Sequence, residues 1–197
     1  GISPIYALRL YKYHGADAYE ALCEDPYILA GESIGGNFFD ADKLAVELGF
    51  DGDSFSRISS AVTFELLHNT NNGHCFIPRG KLIVATAQLI SVDEEEIASA
   101  LDTMLDDGSI ISEMIGGVDA CYLRGLFEAE TFTAKTLFDM IGTDFSDEES
   151  IDSIISAIER QTGLIYAPLQ RQAITLASEH RVLAITGGPG TGKTTCV

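Results

Sequence analysis

Near its end the chain reads Gly187-Gly188-Pro189-Gly190-Thr191-Gly192-Lys193-Thr194-Thr195, in which Gly187, Gly192, Lys193 and Thr194 satisfy the pattern G-x-x-x-x-G-K-T. No other feature restricts the fold as much. A loop of this kind works between a strand and a helix, because its glycines must let the backbone curl until successive N–H groups face one concave side. The preceding Val182-Leu183-Ala184-Ile185 reads as the short buried strand that this context calls for. The chemistry implied is a grip on a nucleoside triphosphate by the backbone and side chains from Gly188, Pro189, Gly190, Thr191 and Gly192 to Thr195. Lys193 would neutralise the β- and γ-phosphates and the Thr194 hydroxyl would ligate Mg2+, which makes these two the candidate catalytic residues. The chain stops three residues beyond Thr194, and Gly1 opens inside what looks like a motif, so it reads as an excerpt whose ends carry no targeting information.

Charge limits what the rest can do. Thirty acids against 12 bases give a formal net charge of −18, which argues against this stretch gripping nucleic acid by itself, since Lys and Arg supply most non-specific affinity. The apolar runs are far too short to cross a membrane. Cys23, Cys75, Cys121 and Cys196 are scattered with no C-x-x-C, indicating neither a zinc site nor a disulfide framework and suiting a reducing cytoplasm.

Two short segments share a frame. Gly1-Ile2-Ser3-Pro4-Ile5-Tyr6-Ala7 and Gly35-Gly36-Asn37-Phe38-Phe39-Asp40-Ala41 both read G-x-[small polar]-x-x-x-A, each with a helix expected after it. Helices are expected over 6–13, 18–23 and 40–48, the last capped by Asp40 and Gly49 with Leu44 and Leu48 on one face. Such glycine hairpins between helices resemble the helix-hairpin-helix motif, whose G-h-G turn binds a DNA phosphate through backbone N–H groups. On that resemblance Gly1, Ser3, Gly35 and Asn37 are the candidate DNA contacts. Ser3 and Asn37 replace the second glycine and neither hairpin holds Lys or Arg, so a role confined to helix packing stands equally beside phosphate binding.

From Ser54, the spacing of Ile58, Ala61, Val62 and Leu66 predicts a helix ending before a polar loop at His68. A second helix is expected over 79–90. A third starts at Asp93 with Glu96 completing a capping box, and buries Ile97, Leu101, Met104 and Leu105 up to Gly108. Strands over 110–115 and 118–123 joined by Gly116-Gly117 complete a winged-helix-like unit. Its third helix carries acids and no base, which excludes groove reading and points to a structural or protein-contacting surface. A further helix is expected over 128–141, then a boundary at 142–145. Another is capped by Ser146 and Glu149, with Asp147-Glu148-Glu149 as a favourable first turn and Ile151, Ile154, Ile155 and Ile158 along one face.

Leu169-Gln170-Arg171-Gln172-Ala173-Ile174, a helix, Arg181-Val182-Leu183-Ala184-Ile185-Thr186 and the glycine loop together resemble the opening of a superfamily 1 DNA helicase motor of the RecD-like class. The stretches 1–15, 26–30, 41–45 and Gly73-His74 look like the N-terminal region of its longer, stand-alone members, so the resemblance covers nearly the whole chain. It implies ATP and Mg2+ as cofactors and Gln170 as reader of the adenine edge. It also implies a motor that moves 5′ to 3′ on single-stranded DNA and opens tailed duplexes in repair or recombination. The expected fold is mostly helical with a small β wing: helix-hairpin-helix material over 1–52, a winged-helix-like unit over 53–142, a linker and helix over 143–168, and the start of a RecA-like α/β motor from 169 to 197. These residues alone should not hydrolyse ATP, since phosphoryl transfer also needs a water-orienting carboxylate and an arginine finger. An α subunit of an exodeoxyribonuclease V type complex is the near alternative. A DNA- or protein-binding module joined to another ATPase, such as an AAA+ loader, is the more distant one.

Overall fold

The computed structural model describes residues 2–141 and 151–196. Gly1, the boundary at 142–145, the Ser146–Glu149 cap and the acidic run 147–149 lie outside the described residues. The chain divides into two compact units, Gly1–Glu128 and Ala129–Val197. Among the described residues no helix is long and apolar enough to cross a membrane.

The first unit opens with α1 (Pro4–His14) and α2 (Ala18–Glu24), followed by a 3-10 turn (Pro26–Ala30) and α3 (Phe38–Leu48). α1 starts where Pro4 fixes φ at the first helical position behind Ser3. α3 begins earlier than expected. Its cap is Asn37, whose Oδ1 accepts the Phe39 N–H at 2.9 Å, and Asp40 falls in the first turn instead, where its charge suits the helix dipole. The earlier start also changes the buried face. Phe38, Ala41 and Ala45 are buried, whereas Leu44 is only partly covered and Leu48 is exposed. Gly49 ends the helix as expected, in the left-handed conformation at φ 81°.

Three helices and a sheet follow: α4 (Phe55–Thr70), β1 (Phe76–Pro78), α5 (Arg79–Ile90), α6 (Glu94–Asp106), β2 (Ile110–Ile115) and β3 (Val118–Leu123). α4 buries the expected Ile58, Ala61, Val62 and Leu66 but runs into the polar loop by three residues, His68, Asn69 and Thr70. α6 buries Ile97, Ala100, Leu101 and Met104, and Leu105 is partly covered. Its capping box does not form. Asp93 takes the extended cap conformation, and it is its carbonyl that accepts the Glu96 and Ile97 N–H groups, at 3.1 and 3.2 Å, with no side-chain bond. The wing has three strands rather than two, in order β1-β3-β2 and antiparallel throughout. β1 escapes sequence reading because it is three residues long and ends in Pro78. The β2–β3 turn places Gly116 and Gly117 at φ 57° and 84°, the tight hairpin geometry that glycine permits without strain.

One apolar core runs from Leu10 of α1 to Cys121 of β3. A polar knot reinforces it where the hairpin region meets the winged region. Arg57 of α4 donates through Nε to Asp42 of α3 at 2.7 Å and through Nη1 to the carbonyls of Gly52 and Ile90 at 2.6 and 3.1 Å. The Tyr27 hydroxyl donates to the same Asp42 carboxylate at 2.7 Å. Burial works to raise the Asp42 pKa, but the Arg57 and Tyr27 hydrogen bonds outweigh it and leave the carboxyl below its ordinary value. Burial and then the Asp42 carboxylate push the Tyr27 phenol upward, so it stays a donor throughout the physiological range.

The last long helix of this series, α7 (Arg124–Ile141), starts four residues before its expected position and buries no side chain. In the second unit α8 (Ile151–Thr162) buries only Ile155 of its isoleucine face, leaving Ile154 and Ile158 exposed. α9 (Pro168–Glu179) follows, then the glycine loop.

Candidate functional site

The loop is held from α9. Pro168 occupies the first helical position of α9 and Gln170 the third, so the Gln170 side chain folds back over the helix start. Its Oε1 accepts the Ala167 N–H at 2.9 Å and its Nε2 donates to the Gly192 carbonyl at 3.2 Å. The next residue fixes α9 itself. Arg171 pairs through two nitrogens with Glu159 of α8, the Nε bond being 3.2 Å, and the same carboxylate accepts the Tyr166 N–H at 2.9 Å. The Arg171 and Tyr166 hydrogen bonds hold the Glu159 pKa below the ordinary carboxylate range. Neither the Glu159 pair nor the Gly192 carbonyl as an acceptor is signalled by local sequence; only the position of Gln170, 23 residues before Lys193, points that way.

The loop curls through Gly190 and Gly192 at φ 74° and 76°, conformations that cost a side chain about 1–2 kcal/mol. A Cβ on Gly187 would lie 3.0 Å from Thr191 Oγ1, so the loop closes tightly over its first residue. Lys193 crosses the curl: its Nζ donates to the carbonyls of Gly187 and Gly188 at 2.8 and 2.7 Å. Thr191 Oγ1 donates to Gly188 at 2.9 Å. Gly188, Pro189 and Gly190 form the exposed tip, and Thr194 and Thr195 are exposed on a single 3-10 turn (Lys193–Thr195). The fold thus brings Gln170, Gly187, Gly188, Thr191, Gly192 and Lys193 together and leaves Thr194 facing solvent.

The expected strand before the loop does not form. Residues 182–185 are irregular, Val182 and Leu183 are half-buried and Ile185 is 37% exposed. A strand is stabilised by ladder partners on its flanks, and among the described residues the three-stranded sheet belongs wholly to the first unit.

The two hairpin segments share the backbone form of their caps, although only Asn37 adds a side-chain bond. Ser3 and Asn37 both cap the following helix in extended conformation, and their carbonyls accept Ala7 N–H at 3.1 Å and Ala41 N–H at 3.2 Å. Ser3, Gly35 and Asn37 are exposed. In the second hairpin several backbone donors are already engaged, however. Gly35 N–H bonds Gly31, Gly36 N–H bonds Leu29 at 2.9 Å, and Phe39 N–H bonds the Asn37 side chain. A Cβ on Gly36 would sit 2.5 Å from the Leu29 carbonyl, so close packing by itself accounts for glycine there. Arg9 of α1 reaches the second hairpin, donating to the Ile34 carbonyl at 2.6 Å.

Residues 1–76 match the family model of the ATP-dependent RecD2 DNA helicase HHH domain, and residues 170–197 match that of an AAA domain. The chain is 28% identical over 205 residues to the ATP-dependent RecD2 DNA helicase of Deinococcus radiodurans, an alignment covering 99% of this chain and 28% of that protein. It is also 28% identical over 155 residues to the RecBCD enzyme subunit RecD of Buchnera aphidicola, covering 71% of this chain and 25% of the relative. The chain therefore spans about a quarter of the length of these relatives. With a glycine hairpin ahead of α3 and a glutamine tied to a phosphate-loop sequence near the other end, the chain is similar over nearly its whole length to RecD-like helicases.

Proposed function

We propose that this chain is the N-terminal part of an ATP-dependent DNA helicase that moves 5′ to 3′ along single-stranded DNA and separates tailed duplexes during repair or recombination in the cytoplasm. The observation that carries the reading is the 3.2 Å bond from Gln170 to Gly192, because it joins the residue suited to adenine to the loop suited to phosphates. In this reading the Gln170 amide reads adenine, Lys193 leaves the Gly187 and Gly188 carbonyls to neutralise the β- and γ-phosphates, and the exposed Thr194 hydroxyl ligates Mg2+. ATP and Mg2+ supply the phosphoryl-transfer free energy that drives movement. Gly188, Pro189, Gly190, Thr191, Gly192 and Thr195 form the rest of the cradle. Gly1, Ser3, Gly35 and Asn37 enter the proposal as duplex-phosphate contacts, and the acidic α6 surface as a protein contact.

In this reading the chain by itself turns over no ATP: among the described residues the side chains that bond the loop are those of Gln170, Thr191, Lys193 and Cys196, and phosphoryl transfer also needs a water-orienting carboxylate and an arginine finger. The proposed organisation is hairpin material over 1–52, the winged unit over 53–142, a connecting stretch over 143–168 and the motor from 169. A second reading, a RecD-like subunit working inside a helicase–nuclease complex, is favoured by the Buchnera relative, whereas the match of the HHH domain over residues 1–76 favours the stand-alone form.

ATP hydrolysis by the full-length protein tests this. Addition of single-stranded DNA should stimulate turnover, and Lys193→Ala should lower it by at least about 100-fold, the loss expected when a phosphate-neutralising charge is removed from the transition state. Turnover unaffected by the substitution would sink the assignment of the loop.

A further inference from the structure

The hydrogen-bonding capacity of Gln170 exceeds what adenine alone requires. A glutamine amide offers two N–H donors and two acceptor lone pairs. Here one lone pair holds the Ala167 N–H at the start of α9 and one N–H holds the Gly192 carbonyl, which leaves one donor and one acceptor, the complement of an adenine edge. The Gly192 carbonyl is also where the loop turns into Lys193. It accepts the Thr195 N–H at 3.1 Å and lies 3.5 Å from Cys196 Sγ, so three donors converge on it. Gly192 sits at φ 76°, and a Cβ there would lie 2.3 Å from Gln170 Nε2, so the amide and the bare backbone fill the same small space. α9 in turn is anchored by the Arg171–Glu159 pair.

We propose that Gln170 is a positioning residue for the phosphate loop as well as a reader of the base: its Nε2–H fixes the Gly192 carbonyl, and with it the backbone of Lys193, against the start of α9. One side chain then sets both ends of the nucleotide site. The inference rests on the nucleotide-binding reading of the loop but separates from it, because a residue that only reads adenine has no effect on a ligand that has no base.

The test is equilibrium binding of ATP, GTP and inorganic tripolyphosphate, each with Mg2+, to the full-length protein and to Gln170→Ala and Gln170→Glu, with a thermal melt on each variant. Gln170→Glu keeps an acceptor for Ala167 and loses the donor to Gly192, so it removes the loop contact without uncapping α9. Both variants should weaken tripolyphosphate and GTP by about three- to tenfold, the worth of one hydrogen bond, and weaken ATP further. Tripolyphosphate affinity within twofold of the parent, together with weakened ATP, would overturn the proposal and leave the adenine assignment standing. Parent protein that binds neither ATP nor tripolyphosphate would remove both.

Discussion

Between Leu10 and Tyr122 buried apolar side chains recur in nearly every element, whereas from Ala129 onward Ile155 alone, among the described residues, is buried. The first unit stabilises itself by burial, at about 1.5–3 kcal/mol for each large side chain covered. The region of the glycine loop is held instead by a few polar contacts: Arg171 to Glu159, Gln170 to Gly192, and Lys193 to Gly187 and Gly188. The contrast separates two kinds of information. A loop defined by glycine conformations and short-range bonds can take shape with little core beneath it, and a strand cannot take shape without neighbours.

The contrast can be broken or sharpened by substitution, starting with the largest effect. Leu82→Ala, at a side chain with no exposed surface in α5, should cost about 2–5 kcal/mol in urea unfolding, while Leu169→Ala, at a residue 78% exposed in α9, should stay within about 0.5 kcal/mol. Similar costs at the two sites would erase the distinction. Arg57→Ala should cost about 2 kcal/mol, below the figure for a fully buried pair because Arg57 and Asp42 are 17% and 21% exposed.

The same knot makes the first unit acid-sensitive. The Asp42 carboxyl is depressed in the folded state, so its contribution is fully present above the ordinary carboxylate value, near pH 4, and is lost as pH falls through the depressed folded value. Stability measured from pH 6 downward should show this loss, and Arg57→Ala should flatten it. A slope unchanged in the variant would remove Asp42 as its source. The smallest effect is a gain. The Thr86 hydroxyl is fully buried with no hydrogen-bond partner among the described residues, so Thr86→Val should stabilise the protein by about 1 kcal/mol, read as a higher urea midpoint at unchanged slope.

Legibility followed the range of the interactions. α5 and the β2–β3 hairpin appear at their expected bounds because apolar periodicity and Gly116-Gly117 are local signals. α4 was readable for its buried face but not for its last turn. The caps divided: Gly49 ends α3 as read, while the start of α3 belongs to Asn37 because its side chain reaches Phe39 and Phe38 gains a buried place. The Arg57 knot was illegible, since its partners lie 15 and 33 positions away and no local pattern marks them. In the candidate site, the identities of Gly187, Gly192, Lys193 and Thr194 and the position of Gln170 could be read. The carbonyls that Lys193 and Gln170 bind could not, and the expected strand at 182–185 depends on partners that the described residues do not supply.

Strand displacement by the full-length protein, on duplexes bearing a single-stranded tail at either the 5′ or the 3′ end and with ATP and Mg2+, tests the account most directly. The account predicts separation of the 5′-tailed duplex, little of the 3′-tailed one, and none of either with Lys193→Ala. Equal separation of both, or separation that survives the Lys193 substitution, would contradict it.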